Sequence, residues 1–265
     1  MSAERIELNG GKPDPAALAW LAQVNYGHFT TLQVQQRGAR GFRLHLQRLA
    51  DATRELFGSE LDLERVRAHV RNILTDQPAT VRITVFSRQL DRKRLESPVE
   101  VDILVATGAP ATPASAPLRL RICVHERVLA RVKHVGTFDL WYLRRQARLA
   151  GFDDALFCTR EGEVSEGSTW NIGFWDGIGV TWPSAPALAG VTRQVLAAGL
   201  AEAGIESASA PVRLDELDRF RSAFIVNTGS VGPLVACIDE RGFGLDAELP
   251  QRLRSAYLSQ RLEPI

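Results

Sequence analysis

Two runs decide how this chain reads: Arg131-Val132-Lys133-His134-Val135, and further on Val164-Ser165-Glu166-Gly167-Ser168-Thr169-Trp170-Asn171-Ile172. Between them, Phe138 to Ala150 carries Leu140, Leu143, Ala147 and Ala150 near a 3.6-residue period, and Gly151 supplies a stop, which predicts a helix. Ala155-Leu156-Phe157-Cys158-Thr159 reads as a buried strand, Glu161-Gly162-Glu163 as a turn, and Val164 as the start of a returning strand. That layout predicts a single site holding Lys133 and Glu166.

An isolated lysine and glutamate are usually a solvated cation and a turn carboxylate. The flanks favour a different reading here. Lys133 sits between Val132 and Val135 and follows Val128-Leu129-Ala130, an apolar setting that partly desolvates an amine. Desolvated amines are nucleophiles for carbonyl carbon. The chemistry that uses such a lysine together with a carboxylate is that of pyridoxal phosphate. The amine forms the Schiff base, and the carboxylate keeps the ring nitrogen protonated so that the ring accepts electrons.

Val132-Lys133, Gly151-Phe152-Asp153-Asp154-Ala155-Leu156 and Val164 to Ile172 together resemble the class IV aminotransferases. These are the fold-type IV pyridoxal phosphate enzymes, among them branched-chain and D-amino acid aminotransferases and aminodeoxychorismate lyase. The resemblance runs over most of the chain and is strongest from Arg131 to Thr192. It implies an α+β chain of two domains, a smaller N-terminal α/β sandwich and a larger C-terminal domain with a barrel-like sheet. It also implies pyridoxal 5'-phosphate carried on Lys133, Glu166 at the pyridine nitrogen, an amino acid and a 2-oxo acid as substrates, and a homodimer. A lyase of the aminodeoxychorismate type is the alternative on the same scaffold, and a homologue that binds the cofactor without turnover is a further one.

The 265 residues, 45% hydrophobic and 24% charged, suffice for a sizeable core. A net charge of +1 gives no reason to expect nucleic acid or an anionic membrane as partner. Met1 to Ile6 lacks the apolar core of a signal peptide, and the run Ala16 to Val24 is too short to span a bilayer. Cys123, Cys158 and Cys237 are odd in number and widely spaced, which favours free thiols and a cytoplasmic protein. No His-Glu-x-x-His or paired Cys-x-x-Cys spacing occurs, so no catalytic metal is expected.

Residues 1–107 read as an N-terminal α+β domain. Strands are predicted at Tyr26–Val34, Val81–Phe86 and Val99–Val105, and helices at Leu44–Phe57 and Leu63–Leu74. Residues 108–117, with three prolines among small residues, read as a linker. Residues 118–265 are then the cofactor-binding domain, with strands at Arg119–His125, Ala155–Thr159 and Phe224–Asn227.

Gly190-Val191-Thr192 precedes an amphipathic run, and Thr192 fits a helix N-cap whose free N–H groups would face an anion. By resemblance Val191 and Thr192 hold the cofactor's phosphate, Leu188 packs on its ring, and Thr228 completes the phosphate site. Arg48, in His45-Leu46-Gln47-Arg48-Leu49, matches the family's phosphate-binding arginine. Two departures bear on the substrate. Phe138 stands where many relatives have a tyrosine, and Tyr26-Gly27-His28-Phe29-Thr30-Thr31 replaces the usual first strand, leaving Tyr26 and His28 as candidate substrate contacts. Arg88, at the end of the strand from Val81, reads either as a clamp for the substrate carboxylate or as part of a solvated basic loop with Arg92, Lys93 and Arg94.

Overall fold

The computed structural model describes residues 4–112 and 116–265. Met1-Ser2-Ala3 and, within the expected linker, Pro113-Ala114-Ser115 lie outside the described residues. The chain forms two compact units that are discontinuous in sequence. Residues 1–111, 132–136 and 262–265 make the first, and residues 112–131 and 137–261 the second.

The first unit contains β1 (Arg5–Leu8), α1 (Pro15–Val24), β2 (Gly27–Val34) and β3 (Gly38–Ala39). It continues with α2 (Phe42–Phe57), α3 (Leu63–Ile73), β4 (Ala79–Phe86) and β5 (Asp102–Gly108). An antiparallel sheet runs in the order β1-β5-β4-β2. Alternation sends Leu32, Val34, Val81, Ile83 and Val85 to one face, where Leu46, Leu49 and Phe57 of α2 meet Val66, Val70 and Ile73 of α3. Each such side chain contributes about 1.5–3 kcal/mol on burial. The spacing read from the sequence is therefore the buried stripe of α2. Gly58 ends that helix at φ +64°, a conformation with little cost for glycine alone. The strand expected from Val99 begins only at Asp102, because the Val99 N–H is taken by the Phe57 carbonyl at 3.2 Å. Helix α1, not foreseen as such, starts on Asp14, whose carboxylate accepts from the Ala17 N–H at 2.7 Å, with Pro15 in the first turn.

The free edge of β2 is covered by residues 132–136. Phe29 N–H donates to the Lys133 carbonyl and Val135 N–H to the Gly27 carbonyl, both at 2.9 Å, and His28 faces His134 in an antiparallel bridge. These ladder bonds draw the lysine segment into the first unit, whereas the sequence division grouped it with residues 118–265.

The second unit opens with β6 (Leu118–Val124), α4 (Phe138–Leu149), β7 (Asp154–Cys158) and β8 (Val164–Gly167). Next come β9 (Asn171–Trp175), β10 (Val180–Pro183), α5 (Val191–Glu202) and β11 (Ser207–Ala210). After a 3₁₀ turn at Leu214–Arg219 follow β12 (Ser222–Asn227), β13 (Ser230–Ile238), β14 (Arg241–Gly242) and α6 (Leu249–Ser259). The last strand, β15 (Glu263–Pro264), pairs with β3 in the first unit. The sheet order is β11-β10-β9-β12-β13-β6-β7-β8, with β14 on β13. It curls into a half-barrel, so that β8 also lies against β9 and the Gly167 N–H reaches the Trp170 carbonyl at 2.9 Å. Helix α4 covers β7 through Leu140, Ala147, Ala155 and Phe157, the face its periodicity predicted. Helices α5 and α6 approach so closely that a Cβ on Gly199 would fall 1.8 Å from the Ala256 carbonyl oxygen. The whole is α+β with a curled second sheet, as the resemblance implied. Among the described residues no helix is long and apolar enough to cross a membrane.

Candidate active site

In the first unit the candidate residues gather on and around β2. Antiparallel neighbours share a face of the sheet. Lys133, beside Phe29, accordingly places its Nζ 4.9 Å from the centroid of the Phe29 ring. Arg82, from β4, lies over the same ring at 3.6 Å and donates from Nε to Thr84 Oγ1 at 3.3 Å. Burial pushes the Arg82 guanidinium below its ordinary pKa, and no carboxylate pairs with it among the described residues.

The alternate residues of β2 point toward α2. Thr30 Oγ1 lies 2.7 Å from His45 Nδ1 and accepts a hydrogen bond from Arg48 Nη2. Burial draws Arg48 down to about 10, which leaves it charged at neutral pH. His45 is held neutral by burial and by the charges of Arg48 and Lys133. Arg48 Nε is buried without an acceptor. An orphaned donor of this kind costs about 1–3 kcal/mol, more on a cation, and an anion supplies what is missing.

His28 does not line the Lys133 face. Strand alternation turns it into the core, where it is 1% exposed and its Nε2 lies 3.0 Å from Thr53 Oγ1. Burial first, and Arg48 second, lower its pKa to about 3, so it is a neutral core histidine. Tyr26 precedes the strand and donates its hydroxyl to the Leu56 carbonyl at 3.0 Å, tying strand start to helix end. Arg88 is also corrected. Its Nε and Nη2 hold both oxygens of Asp102 at 2.9 Å, and Nη1 reaches Asp14 at 3.3 Å. A fork already filled by a carboxylate is not a clamp for a second one.

In the second unit Glu166 is on β8, 5% exposed, with Oε1 2.9 Å from Arg127 Nη1. Its strand is clamped by Asp154, which accepts from Ser168 Oγ at 2.7 Å and Trp170 Nε1 at 2.9 Å. The Trp170 ring lies so close over Gly167 that a Cβ there would sit 2.1 Å from it. Asn171 donates to the Leu188 carbonyl at 2.9 Å, and its Oδ1 leaves only 2.0 Å to a Cβ at Gly190. Gly190, rather than Thr192, is the N-cap of α5, so Thr192 sits buried within the first turn, one residue after Val191. No side chain caps this end and no acidic residue occupies its first turn, which leaves backbone donors suited to an anion. Thr228 is in the two-residue turn between β12 and β13, where Asn227 Oδ1 accepts from the Gly229 N–H at 2.9 Å. Phe138 opens α4, is 79% exposed and stacks on Tyr142 at 5.9 Å.

Three residues escaped the sequence reading: Arg82, Asp154 as a clamp, and Arg127. A cation inside an alternating strand, as in Val81-Arg82-Ile83, was the available signal for the first. For Arg127, six residues before Lys133, nothing local announces a buried partner. Among the described residues no group of three or more His, Cys, Asp or Glu is placed to hold a metal ion.

Comparison with known proteins gives a consistent answer. The family model for amino-transferase class IV matches residues 27–237. A Rickettsia felis protein described as a probable branched-chain-amino-acid aminotransferase is 27% identical over 58% of this chain, and the match spans 57% of that relative's length. Among solved structures, a hypothetical aminotransferase from Mycobacterium tuberculosis in its PLP-bound form superposes with a TM-score of 0.81 at 21% identity, over 97% of this chain and 99% of that one. A branched-chain aminotransferase from Thermoproteus uzoniensis, solved with norvaline, gives 0.82 at 19% identity over 99% of both chains. With the matched region covering most of its length, the chain belongs to the class IV aminotransferases, a family of pyridoxal phosphate-dependent enzymes.

Proposed function

We propose that this protein transfers an amino group between an amino acid and a 2-oxo acid. The observation that carries the reading is the pairing, in one unit, of Lys133 over Phe29 with a buried Arg48 whose Nε lacks an acceptor. Arg48 in the first unit suits an anion such as a phosphate, and in the second unit so do the first-turn N–H groups of α5, at Val191 and Thr192, with Thr228 as a further donor. By the family resemblance Leu188 would support the ring, and Glu166 would pair with the ring nitrogen. Bound pyridoxal phosphate supplies a carbonyl for the amino group and a ring that accepts the electron pair left at the substrate carbon. Lys133 Nζ would hold the cofactor at rest and, when free, would take the proton from the substrate Cα and deliver it to the cofactor carbon on the far side of the shared nitrogen. Arg82 replaces Arg88 as the cation for the substrate's carboxylate, because it shares the Phe29 ring with Lys133 and has no carboxylate of its own.

A panel of L- and D-amino acids, each with a matched amine lacking the carboxylate, tests this reading through the cofactor spectrum and the 2-oxo acid released. Amino acids are expected to react well ahead of the amines, and Arg82→Ala to narrow that gap. Silence toward every amino acid, with lyase activity on aminodeoxychorismate, overturns it. We further infer a homodimer from the exposed face of α4, where Phe138, Trp141, Tyr142 and Leu149 are all more than half exposed. Sedimentation as a single 29.2 kDa chain would defeat that inference.

A further inference from the structure

Thr30 of β2 and His45 of α2 are buried in the first unit, 0% and 3% exposed. His45 and Arg48 are three residues apart on α2 and so share a face of that helix. Alternation along β2 turns Thr30 toward that face and Phe29 away from it. Three polar ends therefore converge. Thr30 Oγ1 lies 2.7 Å from His45 Nδ1, Arg48 Nη2 donates to the same oxygen, and Nη2 stands 3.4 Å from Nδ1.

Counting protons gives the direction of each bond. A guanidinium only donates, so the Arg48 contact uses a lone pair of Thr30 Oγ1. The hydroxyl has one proton, and a neutral imidazole has one bare nitrogen. If Nδ1 carried the imidazole proton, Thr30 would receive from both neighbours, and its own proton would have no acceptor among the described residues. A buried donor left in that state costs about 1–3 kcal/mol. With Nδ1 bare, the hydroxyl donates to His45, its oxygen accepts from Arg48, and the Thr30 proton is used. Burial first, then the charges of Arg48 and Lys133, keep His45 neutral, as this arrangement needs. The guanidinium is thus held through Nη2, while its buried Nε has no acceptor among the described residues.

We propose that Thr30 and His45 are positioning residues for Arg48, a hydrogen-bond relay of fixed direction. His45 takes the Thr30 proton, the Thr30 oxygen holds Nη2, and Nε is left for the phosphate of the cofactor. The proposal rests on the assignment of Arg48 to that phosphate. It makes the hydroxyl of residue 30 and an acceptor at the Nδ1 position of residue 45 the properties that count. It also gives β2 a part in cofactor binding through a side chain that does not touch the cofactor.

The test titrates the full chain, stripped of cofactor, with pyridoxal phosphate and with pyridoxal, which lacks the phosphate. Wild type is expected to prefer the phosphorylated form. Thr30→Val keeps the shape of the side chain and removes the hydroxyl. It is expected to lower affinity for pyridoxal phosphate by about tenfold, the scale of one hydrogen bond, and to leave that for pyridoxal unchanged. His45→Leu should do the same. Thr30→Ser, and His45→Asn, whose Oδ1 can accept as Nδ1 does, are expected to keep the wild-type preference. Arg48→Ala should lose it. Loss in Arg48→Ala with the preference kept in Thr30→Val or His45→Leu overturns the relay and leaves the assignment of Arg48 standing. A preference kept in Arg48→Ala overturns both. Equal losses for the two ligands in Thr30→Val, or a loss in Thr30→Ser as large as in Thr30→Val, assign the effect to packing and also overturn the relay. Should Thr30→Val and His45→Leu not fold, the imidazole ¹⁵N shifts of the wild-type protein decide the matter. His45, assigned by the signal missing from His45→Asn, is expected to show a bare Nδ1 and a protonated Nε2 at neutral pH. A protonated Nδ1 sinks the relay.

Discussion

Lys133→Ala is expected to leave no cofactor attached to the polypeptide after borohydride reduction and to lower turnover by about 10⁴-fold or more. Proton transfer by a positioned side chain is worth roughly 10²–10⁴-fold, and this residue is also the point of attachment. The upper figure corresponds to about 5.4 kcal/mol of barrier. Peptide mapping of reduced wild-type protein should find the tag on Lys133 alone. Lys12 lies in a Gly- and Pro-rich N-terminal stretch, and Lys93 is exposed in a charged loop. A tag on either of them sinks the assignment. Arg48→Ala provides the contrast. It should retain the attachment while weakening cofactor affinity by about 1.5–3 kcal/mol, the scale of one charged hydrogen bond. An unchanged affinity would return Arg48 to a purely structural role with Thr30 and His45.

Glu166→Gln is expected to keep cofactor binding and lose about 10²–10³-fold in turnover, or about 2.7–4 kcal/mol of barrier. The amide matches the carboxylate in shape but cannot hold a proton on a facing nitrogen by charge. It also removes the carboxylate that lies 2.9 Å from Arg127, and a destabilised protein would complicate the rate. Thermal unfolding measured beside turnover separates the two effects. A rate loss at unchanged midpoint supports the electrostatic role, and wild-type turnover at saturating cofactor refutes it.

Much of this protein was legible before any fold was known, and for a physical reason. The amphipathic stripes of α2 and α4 and the alternation in β2 and β4 are local patterns, set by the periods of helix and strand. The lysine, the glutamate and the Gly-Val-Thr turn stood out because each lies in a short run whose neighbours constrain it. Even there the cap moved from Thr192 to Gly190, since the contact that demands glycine comes from Asn171, on a separate strand.

What the sequence could not give is partnership across distance. Nothing near Lys133 says that its backbone will complete the edge of β2, a strand laid down about a hundred residues earlier. Nothing near Arg88 announces Asp102 and Asp14, which occupy its fork, or shows that Arg82, on the strand just before it, stays without a carboxylate among the described residues. Glu166 stood out in the sequence, but nothing near it or near Arg127 announces that the two will meet. Only the curled sheet brings them to 2.9 Å with both side chains almost wholly buried, and burial is what makes an ordinary ion pair strong enough to matter.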